Sequence, residues 1–326
     1  MKSFSDPTQL CADYVGEAAW DLLKSGSHGC ILAVFSKVIY LNSTYDELFW
    51  FATENIPMHR RGIQIHGAIP RASAGSSFIV RGQHLILGKD IEIDLSPASK
   101  WVPPRPNLDK ILPFEHLPDR LRAISCMFDS YPAPTGFGWI LSELTRNATG
   151  SPLPAPLPEF GHAMQYAWPT LNEIVQACNT NDFPQILGIA ENLIGLGEGL
   201  TPSGDDFIGG LLFADFTIHE IYPKYQGLTL TEVELFLNKS RNRTNLISYT
   251  MLKDLAKGNA AETLHRFINS ILTCQNLNYV HSAGLELVRI GHSTGWDLLT
   301  GLWTGMLLSI HSRAVITSSI PASISS

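Results

Sequence analysis

Two proline-rich segments restrict most strongly what this chain of 326 residues can fold into. Residues 96–107, SPASKWVPPRPN, contain four prolines, and residues 147–161 read NATGSPLPAPLPEFG. Because proline fixes φ and lacks an N–H donor, neither segment can form the interior of a helix or an inner strand. We therefore interpret both segments as connectors and place the main domain boundary at the second one.

The part of the chain before the first connector has the pattern of β-structure. Residues 28–96 contain β-branched runs such as GCILAVFSKVIYLNS and alternating stretches separated by glycines, which are typical of strands joined by tight turns. This pattern predicts a small barrel or a strongly curved sheet. A helix is predicted before it, over residues 7–24, with Asp6 as its cap and Pro7 at its first position.

From about residue 160 onward, the apolar periodicity is helical. The helices predicted there span residues 169–178, 183–193, 202–221, 230–240, 246–257, 260–272, 285–290 and 296–311. The sequence thus predicts an α+β fold, with a β-rich, barrel-like N-terminal domain followed by a mainly α-helical C-terminal domain. We assign residues 1–107 to the β-rich domain with its N-terminal helix, 108–159 to the connector and 160–326 to the helical domain.

Composition excludes several classes of partner. The net charge is −7 and there is no basic block, which argues against nucleic acid. The five cysteines lie far apart without a Cys-x-x-Cys pair, a pattern typical of a reduced cytoplasmic protein. The most apolar late segment, residues 296–310, contains Asp297 and is shorter than the roughly 20 residues that a membrane-spanning helix needs. We therefore expect a cytoplasmic protein without nucleic acid or membrane partners.

An unusual glycine-rich segment lies in the helical part. Residues 195–213, GLGEGLTPSGDDFIGGLLF, place alternating glycines, hydroxyls and two aspartates before an apolar run. Its portion SGDDFIGGLL is echoed later by TGWDLLTGLW, which pairs Ser203 with Thr294 and Asp206 with Asp297. The shared glycines predict that the two helices can pack closely against each other or against another helix.

The aspartates of these segments allow two interpretations. A hydroxyl three positions before a carboxylate resembles a capping box, and Thr201 could equally cap a helix that begins at Pro202. In the simpler interpretation, Asp205, Asp206 and Asp297 only cap buried helices. In the other, two helix N-termini form one polar site for an anion, and the aspartates hold a metal or position an amide N–H. The adjacent carboxylates exceed the need of one cap, which favours the second interpretation.

Further polar residues accompany these two loops. Arg243, in the segment SRNRTNLISYT, belongs to the residue type best suited to bind carboxylate or phosphate. The following Thr244 and Asn245 have the pattern of a helix cap. His292 lies inside the second glycine-containing loop, where a lone histidine can be either structural or functional.

The segments GLGEGLTPSGDDFIGGLL, RTNLIS and GHSTGWDLLTGLWTG, in this order, resemble a bacterial domain family that includes the H subunit of oxamate carbamoyltransferase from anaerobic allantoin breakdown. The early segment GCILAVFSKVIYLNS is similar to that family's first strand pair. The resemblance implies transfer of a carbamoyl group between oxalurate or oxamate and phosphate, by one subunit of a multi-subunit enzyme. It supplies no established catalytic residue.

We therefore expect a small anionic substrate between the two loops, and partner subunits of the same enzyme. The alternatives are a non-catalytic subunit that binds a metabolite and a subunit that serves assembly only. No cofactor is required by the sequence, although Mg²⁺ held by an aspartate and bridging to phosphate is a candidate. The predicted catalytic residues are Asp205, Asp206 and Asp297, and the predicted substrate-binding residues are Gly197, Gly199, Thr201, Ser203, Gly204, Arg243, Thr244, Asn245, His292, Ser293, Thr294 and Gly295.

Overall fold

The computed structural model describes residues 8–146, 152–154, 156, 161–177, 182–225 and 227–318. The predicted cap Asp6, the adjacent Pro7 and most of the second proline-rich segment lie outside these residues. The chain divides into two compact units. One contains Met1–Pro104 and Ala260–His265, and the other contains Arg105–Asn259 and Arg266–Ser326.

The first unit is a closed β-barrel, which confirms the predicted barrel-like domain. Its strands are β1 (Thr8–Gly16), β2 (His28–Val34), β3 (Val38–Ser43), β4 (Leu48–Thr53), β5 (Gly62–Ile65), β6 (Ser77–Arg81), β7 (His84–Leu87), β8 (Ile91–Asp94) and β9 (Ser99–Trp101). Strand β1 pairs with both β5 and β8, so the ring β1–β5–β4–β3–β2–β6–β7–β8 closes on itself, and β9 adds to β1. Alternate residues of each strand, such as Phe78 and Val80 of β6, fill the interior.

The predicted N-terminal helix over residues 7–24 is wrong for most of its length. Residues 8–16 form β1, and only Glu17–Leu22 are helical, as α1. Strand β1 closes the barrel, with Ala12 and Val15 buried in its core and a bulge between Ala12 and Tyr14. Pairing with three neighbouring strands outweighs the local helical spacing, which the bulged strand happens to imitate.

The second unit is helical, as predicted. Its helices are α2 (Leu117–Ser125), α3 (Leu141–Arg146), α4 (His162–Ala177), α5 (Phe183–Ala190), α6 (Ser203–Ile221), α7 (Leu230–Ser240), α8 (Leu246–Leu255), α9 (Glu262–Thr273), α10 (Leu277–Val288) and α11 (Thr294–Ser318), of which the first turn of α9 belongs to the barrel unit. Each predicted helix after residue 160 has a counterpart, with shifted ends. No helix in the described ranges is both long and apolar enough to cross a membrane.

Helices α6 and α11 pack backbone against backbone, which confirms the prediction from their glycines. A Cβ atom on Gly301 would overlap the carbonyl oxygen of Phe207, and one on Gly210 would overlap that of Leu298. Gly301 follows Gly210 by 91 residues, and Leu298 follows Phe207 by the same 91. The contact is therefore reciprocal, so the two similar sequences are related by an approximate two-fold axis.

Candidate functional site

The structure brings the two glycine-containing loops together at the N-termini of α6 and α11. The hydroxyls of Thr201 and Thr294 lie 3.3 Å apart, and those of Ser203 and Ser293 also lie 3.3 Å apart. Both pairs join the first loop to the second. The two loops meet because the close packing of α6 on α11 places the starts of the two helices side by side.

The start of α6 differs from both predicted capping schemes. The helix begins at Ser203, with Pro202 in the capping position and no side-chain cap. The Thr201 hydroxyl instead donates to Asp206 Oδ2 at 2.9 Å. The N–H of Gly204 already donates to the Leu196 carbonyl oxygen at 2.9 Å, so part of the helix N-terminus is occupied by the chain itself.

The start of α11 has the same local arrangement. The N–H of Gly295 donates to the Ile290 carbonyl oxygen at 3.0 Å, and a Cβ atom there would overlap the Leu287 carbonyl oxygen. A Cβ atom on Gly204 would likewise overlap the carbonyl oxygen of Leu193. Both predicted glycines therefore allow close approach to the preceding backbone, which fixes the angle at which each helix leaves its loop.

Asp205 holds the first loop on α8. One of its oxygens accepts from the Gly195 N–H at 2.7 Å, and the other accepts from Ser248 Oγ at 2.6 Å and from the hydroxyl of Thr244. Asn245 caps α8 by accepting from Ser248 N, and its Nδ2 donates to the Leu200 carbonyl oxygen at 2.8 Å. The segment RTNLIS therefore fixes the loop, and both oxygens of Asp205 are used in doing so.

Asp206 is 4% exposed and lies between the two loops. Burial raises its pKa well above the ordinary aspartate value, and the nearby carboxylates of Asp297 and Asp205 raise it further. The hydroxyls of Thr201 and Thr294 lower this pKa only in part. The raised pKa shifts Asp206 toward the protonated form, which is the form that can donate a proton.

Asp297 is completely buried, with an exposed fraction of 0%. Its Oδ1 accepts from the Phe137 N–H at 2.6 Å, whereas its Oδ2 has no hydrogen-bond partner among the described residues. Burial raises its pKa to about 7, against the lowering effect of Phe137 N–H and of the Ser203 and Ser293 hydroxyls. It is therefore partly ionised at neutral pH.

Each of the two carboxyls is influenced by a hydroxyl from the other loop. Ser203, three residues before Asp206, lowers the pKa of Asp297, and Thr294, three residues before Asp297, lowers the pKa of Asp206. In a capping box, each hydroxyl would instead hydrogen-bond to the N-terminus of its own helix. Here the hydroxyls cross the approximate two-fold axis, so Asp206 and Asp297 form one coupled pair, which we call the aspartate pair.

A third loop, residues 135–138, contacts the aspartate pair and was missed in the sequence. Thr135 Oγ1 donates to the His292 carbonyl oxygen at 2.8 Å. Gly136, with φ of 54°, lies so close to Asp297 that a Cβ atom would overlap the carboxylate. The available signal was the hydroxyl–glycine pair Thr135–Gly136, which is of the same kind as Ser203–Gly204 and Thr294–Gly295.

The remaining predicted residues lie at the rim of the loops. Gly197 and Gly199 have φ of 129° and 97°, which only glycine adopts without strain, and Gly197 packs against the backbone nitrogen of Ser203. The side chains of Arg243 and His292 are exposed. The backbone carbonyl of Arg243 packs against Gly195.

The part of the chain that the structure describes offers no protein cage for a metal ion. No group of three or more His, Cys, Asp or Glu residues there is arranged to hold a metal ion. Binding of Mg²⁺ at the aspartates stays a prediction.

Comparison with known proteins points to the same segment. No solved structure matches the chain significantly. Residues 193–306 match the family described as oxamate carbamoyltransferase subunit AllH. The matched segment contains both loops and the segment RTNLIS, but not the barrel or residues 135–138. Over residues 193–306, which carry the aspartate pair, the chain is therefore similar to oxamate carbamoyltransferase subunit AllH, as its three motifs predicted.

Proposed function

We propose that this chain is a subunit of a carbamoyltransferase that acts on oxalurate and oxamate, with its site at the junction of the two loops. One observation carries the proposal. The segment that matches the oxamate carbamoyltransferase subunit contains both loops, whose hydroxyls lie 3.3 Å apart in two pairs and neighbour two buried carboxyls. The name of the matching family supplies the reaction, and the loops supply groups with suitable chemistry.

The reaction requires proton transfer. When phosphate attacks oxalurate, a C–O bond forms to the carbamoyl carbon and the C–N bond to oxamate breaks. The attacking hydrogen phosphate releases a proton, and the departing nitrogen takes one up. We assign this relay to Asp206, because its raised pKa favours the protonated form that can donate to the departing nitrogen.

Binding is assigned to the hydroxyls around the pair. Ser203 and Ser293 on one side and Thr201 and Thr294 on the other offer donors to a carbonyl or phosphate oxygen. The positive ends of the α6 and α11 dipoles would favour the substrate's negative charge, and Arg243 at the rim would neutralise it further. Mg²⁺ bridging to phosphate would be a third source of positive charge.

Asp205 receives a different role in this proposal. Its bonds to Gly195, Thr244 and Ser248 use both carboxylate oxygens, so it positions the first loop rather than contacting substrate. Thr244 and Asn245 act with it. The three aspartates expected to be catalytic are thus divided into one positioning residue and one reactive pair.

Replacing Asp206 by alanine tests the proposal in the complex of the full chain with its partner subunits. We expect oxalurate phosphorolysis to fall by about 100-fold or more, because general acid catalysis contributes on that scale. The measurement is carbamoyl phosphate formation, with Mg²⁺ and with a chelator in parallel. Glu234→Ala, which removes an exposed carboxylate of α7, is the matched control and should retain full activity. A folded Asp206→Ala complex with full activity contradicts the proposal.

A further inference from the structure

Asp297 Oδ2 is the one carboxylate oxygen among the buried polar atoms that have no hydrogen-bond partner in the described residues. A buried acceptor without a donor costs free energy, and such atoms are rare in folded proteins. Asp297 Oδ2 lacks a hydrogen-bond partner in the described part of the chain, although the side chain is completely buried. The other oxygen of the same carboxyl is held firmly by the Phe137 N–H, so the orphan atom keeps a fixed position.

The groups around this atom do not supply it with a hydrogen bond. Ser203 and Ser293 lie close enough to Asp297 to lower its pKa, but neither hydroxyl is in hydrogen-bond geometry with Oδ2. The two hydroxyls lie 3.3 Å from each other. Gly136 closes one side of the carboxylate without bringing a donor to Oδ2. A ligand bound at the two hydroxyl pairs could therefore supply the donor that Oδ2 lacks.

We propose that Asp297 Oδ2 accepts a hydrogen bond from the amide N–H of the ligand and thereby selects an amide over a carboxylate. The inference rests on the proposed function for the identity of the ligand, oxamate. Oxamate carries an amide group where the otherwise similar oxalate carries a second carboxylate. That second carboxylate would place an acceptor and a negative charge against Asp297 and Asp206.

The expected discrimination is large. A site built to hydrogen-bond a ligand N–H can reject an analogue that lacks it by about 10⁴-fold, because the buried polar group of the site is then left unpaired. We expect oxamate to bind the full-length protein at least about 100-fold more tightly than oxalate. N,N-dimethyloxamate, which keeps the carbonyl and the carboxylate but has no N–H, should bind as poorly as oxalate.

Titration calorimetry with these three ligands tests the inference at pH 8.5, where a carboxyl with a pKa of about 7 is ionised. Asp297→Asn keeps the side-chain shape and an oxygen for the Phe137 N–H, while Nδ2 becomes a donor in place of the orphan oxygen. In this variant, oxamate affinity should fall at least about 10-fold and oxalate affinity should rise, so that the preference is lost or reversed.

Several outcomes overturn the inference. These are binding of none of the ligands by the wild-type protein, equal affinity for oxamate and oxalate, tight binding of N,N-dimethyloxamate, or an unchanged preference in a folded Asp297→Asn variant. The ligand series on wild-type protein needs no variant and remains decisive if Asp297→Asn does not fold. Amide selection without phosphorolysis in the complex would refute only the proposed function, and phosphorolysis without amide selection would refute only this inference.

Discussion

Replacing Gly301 by alanine is expected to lower the free energy of unfolding of the helical unit by about 3 kcal/mol or more. In an unpacked helix, the same change would be stabilising, because alanine is the better helix former. Here the new Cβ atom would overlap the Phe207 carbonyl oxygen, which is backbone and cannot rotate away. The α6–α11 contact must therefore open along its length, and the two loops at its end must separate.

Thermal and denaturant unfolding, followed by circular dichroism at the helical signal, measures this effect. Gly188→Ala is the matched control, because Gly188 lies in α5 with nothing within 4 Å of the position of a Cβ atom. That change should stabilise the protein by about 0.5–1 kcal/mol. If both glycine substitutions are stabilising, the close reciprocal packing of α6 on α11 is incorrect.

Replacing Asp205 by alanine is expected to cost about 3–5 kcal/mol, the second large effect. The substitution leaves the Gly195 N–H and the hydroxyls of Thr244 and Ser248 without their common acceptor. All three donors are at least partly buried, so water replaces the carboxylate poorly. The first loop should come away from α8, and oxamate binding should be lost together with stability.

The same unfolding measurements test this second prediction. Glu198→Ala removes an exposed carboxylate from the same loop and should change stability by no more than about 0.5 kcal/mol. Asp205→Asn separates charge from shape, because its amide would direct a donor at groups that are themselves donors. A small loss of stability for both Asp205 variants would show that the loop is held by other contacts.

Much of the fold follows from short-range sequence patterns. Helical periodicity extends through α6, α7 and α8, so the sequence predicts these helices to within one or two residues at each end. The barrel follows from alternation in β6, β7 and β8. Alternation does not predict strand β1, because this strand is defined by its pairing with distant strands and its bulge interrupts the alternating pattern.

The candidate site was predictable in its location but less so in its chemistry. The echo between the two loops predicts that Asp206 and Asp297 are equivalent, and the structure places them together across an approximate two-fold axis. The different roles proposed for Asp205 and Asp206 depend on which groups each side chain contacts in the fold. The third loop could not be placed, because Thr135 and Gly136 lie more than 150 residues before Asp297 and share no pattern of spacing with it.

The approximate two-fold axis has a chemical consequence. Each helix N-terminus brings one carboxyl into a shared environment, where burial raises the pKa of both carboxyls and the charge of Asp297 raises that of Asp206 further. One copy of the motif alone would lack the hydroxyl that the other copy brings to its carboxyl. The proposed site uses both copies and their reciprocal glycine packing, so we expect the stability of α6 and α11 to affect the proposed chemistry.

Hydrogen exchange of backbone amides, followed by mass spectrometry of the full-length protein with and without saturating oxamate, tests most directly that the two loops form one ligand site. Bound ligand should slow exchange in residues 195–204 and 291–297 together, and leave the barrel strands unchanged. Asp206→Ala should abolish the slowing in both loops at once. Slower exchange in only one loop, in the barrel alone, or in neither loop would contradict a shared site at the aspartate pair.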